Sequence, residues 1–409
     1  MGLKRLIKIM QQNKLFENDI SIKEKESILI GGIKTNRIYG EFWTSKQRQA
    51  SSLQEISYRA CFKPQLPRYF IQKYTSENEI VYDPFAGRGT TTIEAGLLGR
   101  KVIQNDINPL SIVLSKPRLY VPTFNQISER LSEIKISASL KSTLDLSMFF
   151  EKETLNEILC LRHYFKRKVQ ENTFDNIDSW IQMVATNRLT GHSPGFFSVY
   201  TFPPNQAVSQ ASQIKINQKR KQQPTYKDTK KLILKKTQQL QKSLSTTDIN
   251  NLRNALKTSL FLTNTADQTP EIKSDSVSLI VTSPPFLDVV DYKDDNWLRT
   301  WFNDINSDII GKQITMSKTV EKWSEDMQKI FHELTRVLKK GGQVAFEVGE
   351  VKAGKIKLDE IIVPLGVNAG LSCDSILINT QDFTKTSNIW GVKNNQKGTN
   401  TNRIVVFIK

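Results

Sequence analysis

Two short stretches of this chain combine residue types that could do chemistry on a bound ligand. The first is Asp83-Pro84-Phe85-Ala86-Gly87-Arg88-Gly89-Thr90-Thr91. Gly87 and Gly89 let the backbone turn sharply and approach a ligand closely. A helix starting at Thr90 would offer that ligand its free amide groups. Asp106, followed by Ile107, stands where an acid can accept hydrogen bonds from both hydroxyls of a ribose. The turn is too short for a Walker loop and lacks the following Lys-Ser/Thr pair, which disfavours nucleoside triphosphate hydrolysis. The second stretch is Ser283-Pro284-Pro285-Phe286. Read as structure alone, paired prolines after a strand simply end it. Read as chemistry, they stiffen the chain, so the Ser283 hydroxyl and the Ser283 and Pro284 carbonyls aim at one spot as acceptors. Phe286 supplies a ring on which a planar base can stack. An exocyclic amine held by such acceptors becomes a usable nucleophile.

Regular elements have to bring these stretches together. Residues 79–83 read as a short buried strand and 90–98 as a helix closed by Gly99. Residues 101–106 read as a second strand that ends in an acid, which completes one βαβ unit with the layout of a nucleotide site. Residues 1–45 give little structural signal. The rhythm breaks over 119–255, where 154–169 and 175–189 look helical. The segment 187–206, rich in Gly, Pro and aromatics, reads as an ordered loop. Strands are expected again at 260–263, 278–282, 343–348, 375–379 and 404–408, with a helix at 324–339 ended by Gly341-Gly342. The last strand follows its predecessor with no room for a crossover helix, so it is expected to run antiparallel. The fold class is α/β: seven strands, mostly parallel, with an antiparallel last strand.

The 409 residues carry 58 Lys+Arg against 41 Asp+Glu, a formal net charge of +17. With 38% hydrophobic residues the chain can bury a sizeable core. No apolar run is long enough to cross a bilayer, and the start lacks a signal peptide's apolar core, so a soluble cytoplasmic protein is expected. Cys61, Cys160 and Cys373 are too scattered for a disulfide framework or a zinc site, and no metal is expected. Residues 211–242 hold ten Lys/Arg and one acid, a net +9 that is more than half of the total. Either this is a solvated helical face, or it is an arm whose Lys219, Arg220 and Lys221 contact phosphates and release counterions.

Asp83–Thr91 and Ser283–Phe286 together resemble the motifs of the S-adenosylmethionine-dependent amino-methyltransferases of DNA, which methylate N4 of cytosine or N6 of adenine. Asp83-Pro-Phe-Ala-Gly-Arg-Gly-Thr-Thr91 looks like their cofactor loop and Ser283-Pro-Pro-Phe286 like their catalytic tetrapeptide. Serine in its first position is typical of cytosine-N4 members. Lys63-Pro64 resembles the segment that closes over the methionine moiety, Asp267 the acid that approaches the adenine, and Asp291-Tyr292 a pair that recurs in such relatives. The order here, cofactor loop before tetrapeptide, is the reverse of that in many cytosine-N4 enzymes. The resemblance implies a Rossmann-like methyltransferase domain over 58–118 and 255–409, after an N-terminal extension at 1–57. A target-recognition region at 119–254 would be inserted between its halves.

It further implies S-adenosylmethionine as cofactor, double-stranded DNA as partner, and transfer to N4 of a flipped-out cytosine, in a restriction-modification system with a cognate endonuclease. Adenine-N6 methylation, RNA amino-methylation and a catalytically silent DNA-binding module are the competing readings. For contacts to DNA the candidates are Arg188, able to read guanine bidentately, and His192. Phe196, Phe197 and Tyr200 would either stack on bases or form a small core. Asp288 would either help the amine's proton leave or cap a turn. None of the cysteines follows a proline, which disfavours C5-cytosine methylation.

Overall fold

The computed structural model describes residues 21–42, 50–59, 61–137, 140–203, 206–285, 294–313, 319–351, 356–379 and 402–409. Among these, the main sheet has nine strands: β1 (Ser21–Ile30), β2 (Ile33–Glu41), β3 (Ile80–Asp83), β4 (Lys101–Asn105), β5 (Leu260–Leu262), β6 (Val277–Thr282), β7 (Leu338–Val348), β10 (Ser372–Asn379) and β11 (Asn402–Ile408). A two-stranded ribbon, β8 (Glu350–Val351) with β9 (Ile356–Lys357), stands apart. The order in the main sheet is β1-β2-β10-β11-β7-β6-β3-β4-β5.

All seven expected strands are present, and β11 runs antiparallel to both β10 and β7. The count of seven is corrected to nine by the hairpin β1–β2, whose second strand pairs parallel with β10. Its first strand, Ser-Ile-Lys-Glu-Lys-Glu-Ser-Ile-Leu-Ile, is exposed over most of its length, so no buried face marks it as alternation in the sequence. The helix expected at 324–339 runs Val320–Val337, and β7 begins at the next residue. Gly341 and Gly342 therefore lie within the strand instead of capping the helix. Gly341 takes φ +74, and its N–H bonds the Lys409 carbonyl at 2.9 Å.

The helix Thr90–Leu97 is buried at every residue, between the sheet and the helices Gln65–Tyr74 and Thr246–Thr258. Such burial suits its composition, in which the lone charge, Glu94, is answered by Arg68 at 3.0 Å and Gln54 at 2.9 Å. The inserted region is largely helical: Phe124–Glu133, Lys152–Gln170, Asn176–Arg188, Gln210–Arg220, Thr229–Gln241 and Thr246–Thr258. It shares one apolar core with the sheet's helices, from Ile93 and Leu97 through Leu110 to Trp180 and Leu252. The limits expected at 118/119 and 254/255 cut through the helices Pro117–Tyr120 and Thr246–Thr258, and β1–β2 ties the 1–57 segment to the main sheet.

Candidate functional site

The strand order reverses between β3 and β6: β4 and β5 lie to one side, β7 to the other. Parallel sheets bind ligands beyond their carboxyl ends at such a reversal. The two sequence motifs leave the sheet there. Thr282 Oγ1 donates to Asp83 Oδ1 at 2.7 Å and Thr91 Oγ1 to the Val281 carbonyl at 3.3 Å, which clamps the two loops together. Between them opens a cleft of about 310 Å³, lined among others by Phe85, Gly87, Asp106, Asp267, Ser283 and Pro285.

In the first loop Gly87 (φ +52) and Gly89 (φ +77) take left-handed backbone, and for different reasons. Gly87 faces the cleft, where a Cβ would stand 3.5 Å from the Tyr58 ring. At Gly89 a Cβ would come within 2.4 Å of Ser115 Cβ, so close packing onto a neighbouring helix excludes any side chain. Asp106 Oδ2 accepts from Gly87 N at 2.7 Å and Oδ1 from Asn108 N at 2.9 Å. Each oxygen keeps a lone pair for a vicinal diol in the cleft. Burial pushes the Asp106 carboxyl up to about 6, against the two amides. Burial likewise raises Asp83 to about 6, and its Oδ2 is buried without a hydrogen-bond partner. A carboxylate oxygen left bare in this way is a receptor for a donor such as an ammonium group. Asn105 joins the loops: Nδ2 reaches the Pro84 and Asn264 carbonyls at 3.3 and 3.0 Å, and Oδ1 accepts from Asn264 N at 2.9 Å.

At the second motif Pro284 is buried and Ser283 and Pro285 are half-buried. Trp323 Nε1 donates to the Pro285 carbonyl at 3.3 Å. Near the Ser283 hydroxyl stands Glu347, a carboxylate at the end of β7 that is 6% exposed. Burial raises Glu347 to about 7, and the nearby Ser283 hydroxyl pulls the other way. Sequence reading missed both Trp323 and Glu347. Glu347 sits in an apolar strand, Val344-Ala345-Phe346-Glu347-Val348, where an acid has no structural reason to be, and that was the available signal.

The remaining candidates divide. Ala86, Pro84, Ile107 and Thr90 line the cleft. Lys63 is exposed and Pro64 opens the helix Gln65–Tyr74, while the cleft wall comes from Cys61 and Phe62 just before them. Arg188 is 8% exposed, with its guanidinium 3.9 Å from the Phe196 ring centre, so it does not reach into solvent. Burial and the nearby Arg299 hold it down to about 10. Phe196 and Phe197 are buried, which resolves them as a small core. His192 is exposed beside Phe196. Lys219, Arg220 and Lys221 are exposed, and Arg220 stacks 3.8 Å over Tyr200. Within the basic block, however, Lys236 is buried against Glu55 and Lys230 bonds the Ile134 carbonyl. Phe286, Asp288, Asp291 and Tyr292 lie outside the described residues. Among the described residues no cluster suits a metal, and no helix is long and apolar enough to cross a membrane.

The switch-point cleft and the antiparallel final strand define a Rossmann-like, mostly parallel α/β fold. Of the three acids, Asp106 and Asp267 line the cleft, while Asp83 is buried behind it. Residues 7–116 match a family model described as DNA methylase, of the N6/N4 methyltransferase kind. The Type II methyltransferase M.MvaI of Kocuria varians is 29% identical over 37% of this chain and 30% of its own length. M.MjaII of Methanocaldococcus jannaschii is 26% identical over 31% and 25%. M.BsoBI of Geobacillus stearothermophilus is 28% identical over 27% and 23%. These matches span less than a third of each relative. Over the matched residues the chain is similar to DNA methylases of the N6/N4 kind.

Proposed function

We propose that this chain transfers a methyl group from S-adenosylmethionine to an exocyclic amine of a base in double-stranded DNA, with N4 of cytosine as the target. The observation that carries this reading is the cleft that the glycine loop lines together with Ser283 and Pro285. When bound, the cofactor supplies an electrophilic methyl group on sulfur. The chain would hold it through Asp106 at the ribose and Asp267 at the adenine, with the buried Asp83 supporting the amino-acid end from beneath the loop. Pro84, Phe85, Ala86 and Ile107 form apolar walls, Gly87 gives close approach, and Thr90 and Thr91 tie down the loop. Lys63-Pro64 would close over the methionine end.

The Ser283 hydroxyl would donate a hydrogen bond to Glu347, which leaves its lone pairs to accept from the target amine. The Ser283 and Pro284 carbonyls accept beside it. Trp323 fixes Pro285, so these acceptors need not reorganise as the amine attacks. The amine's departing proton passes through Ser283 to Glu347, whose raised affinity suits it to receive one near neutral pH. Phe286 would stack on the extruded base and offset part of its unstacking cost, a few kcal/mol.

Lys219, Arg220 and Lys221 would grip the DNA backbone without reading its sequence. His192 and Tyr200 would lie toward the bases, and Asp288 and Tyr292 beside the extruded one. The segment 119–254 would serve as the recognition region, inside a cytoplasmic restriction-modification system with its endonuclease. Adenine N6 is the second reading, favoured by the order of the two motifs. Incubation with labelled S-adenosylmethionine and duplex DNA or RNA, followed by digestion to nucleosides, tests the proposal. Label in N4-methylcytosine is expected. Label in N6-methyladenine moves the target base, label only in RNA overturns the DNA substrate, and no label despite DNA binding overturns the activity.

A further inference from the structure

One stretch of chain, 52–59, touches both the glycine loop and the helices of the inserted region. Toward the loop, Arg88 Nη1 donates to the Gln54 and Ile56 carbonyls at 3.2 and 2.6 Å, and Gln54 Nε2 to the Thr90 carbonyl at 3.1 Å. The Tyr58 ring lines the cleft and lies 3.5 Å from where a Cβ on Gly87 would stand. Toward the other side, the Ser57 carbonyl accepts from Asn187 Nδ2 and from Arg299 Nη2, each at 3.2 Å. Asn187, 1% exposed, is the penultimate residue of the helix Asn176–Arg188. Arg299, 4% exposed, belongs to the helix Trp297–Phe302 and sets its guanidinium 5.8 Å from the Tyr58 ring centre. Arg59 adds two bonds to Asp295, at 3.0 and 2.9 Å. Neither Asn187 nor Arg299 lines the cleft.

We infer that Asn187 and Arg299 are positioning residues for the methyl donor: through the Ser57 carbonyl they fix Tyr58 against the glycine loop, and so couple cofactor binding to DNA binding on the inserted helix Asn176–Arg188 and its neighbour Trp297–Phe302. The inference rests on the reading of the cleft and helices given above. Close-packed interiors transmit small displacements instead of absorbing them. A shift of either helix under a docked polyanion moves Ser57, and Tyr58 moves with it on the wall of the cleft. Such coupling is reciprocal: DNA tightens the cofactor by the factor by which the cofactor tightens DNA.

The test is calorimetric titration of the full chain with S-adenosylhomocysteine, alone and with saturating sheared duplex DNA. The proteins are wild type, Asn187→Ala, Arg299→Lys and Tyr58→Leu. Wild type is expected to bind the cofactor product at least about fivefold more tightly with DNA, the lower end of ordinary coupling. Asn187→Ala and Arg299→Lys should weaken binding without DNA by about fivefold, the worth of one hydrogen bond, and cut the DNA effect below about twofold. Their thermal midpoints should stay within a few degrees of wild type. Tyr58→Leu should lose the coupling while leaving both helices untouched, which keeps the inference open to refutation if the buried variants fail to fold. Unchanged affinities in folded variants, the same DNA effect in every protein, or no DNA effect in wild type would overturn it. Absence of binding by wild type would instead overturn the methyl-donor reading itself.

Discussion

At the scale of single residues, the pairing of Ser283 with Glu347 makes the sharpest predictions. Ser283→Ala should slow single-turnover transfer by about 100-fold, the lower range for an aligned proton acceptor, and leave S-adenosylhomocysteine affinity within about twofold. A normal rate in that protein would remove the hydroxyl from the chemistry. Glu347 lies at about 7 in the folded chain against an ordinary 4.5. Below pH 4.5 both folded and unfolded chains hold this proton, and the group is neutral to stability. As pH rises toward 7 the unfolded chain releases it first, so folding loses on the order of 3 kcal/mol by pH 8. Glu347→Gln should therefore raise the thermal midpoint at pH 8 but not at pH 4. In wild type the transfer rate should climb with pH through about 7, and in Glu347→Gln it should be low and flat. A rate profile that keeps its inflection in the variant would assign that inflection to another group.

At the scale of elements, the loops matter through what holds them. Gly89→Ala drives a Cβ to 2.4 Å from Ser115 at φ +77 and should cost on the order of 2–4 kcal/mol in denaturant unfolding. Gly32→Ala, at φ +83 in the hairpin turn with nothing within 4 Å, carries backbone strain alone and should cost about 1 kcal/mol. Equal losses would mean that packing at Ser115 is unimportant. Asn105→Ala unties Pro84 from Asn264 and should weaken S-adenosylhomocysteine about tenfold, read by calorimetry. Most elements were legible in the sequence: the βαβ unit through its apolar strands and glycine stop, and the antiparallel last strand through its short connection. The hairpin β1–β2 was not, because a strand with little burial leaves no periodic mark. The helix end before β7 was misjudged because Gly341 looks the same in a cap and in a distorted strand.

At the scale of the whole molecule, the basic block behind much of the net +17 divides between exposed and buried positions. Lys219, Arg220 and Lys221 stand exposed beside Tyr200, whereas Lys236 from the same block is spent on Glu55 inside the protein. Replacing the three exposed cations by Ala should flatten the plot of log binding constant against log salt by about 0.9 for each DNA phosphate that the wild-type side chains neutralise. An unchanged slope would put the DNA on another face. The sequence by itself determined the local devices: glycines where a backbone must turn, an acid at a strand end, and prolines that stiffen a turn all act through neighbours a few residues away. What only the tertiary structure decided are the pairings across hundreds of residues. Those are Glu347 under Ser283, Trp323 on Pro285, Arg188 folded onto Phe196, and Asn187 with Arg299 on Ser57. Each depends on burial and approach distance, which the packing of separate elements sets, so the same residue types could as well have served as surface charge or plain core.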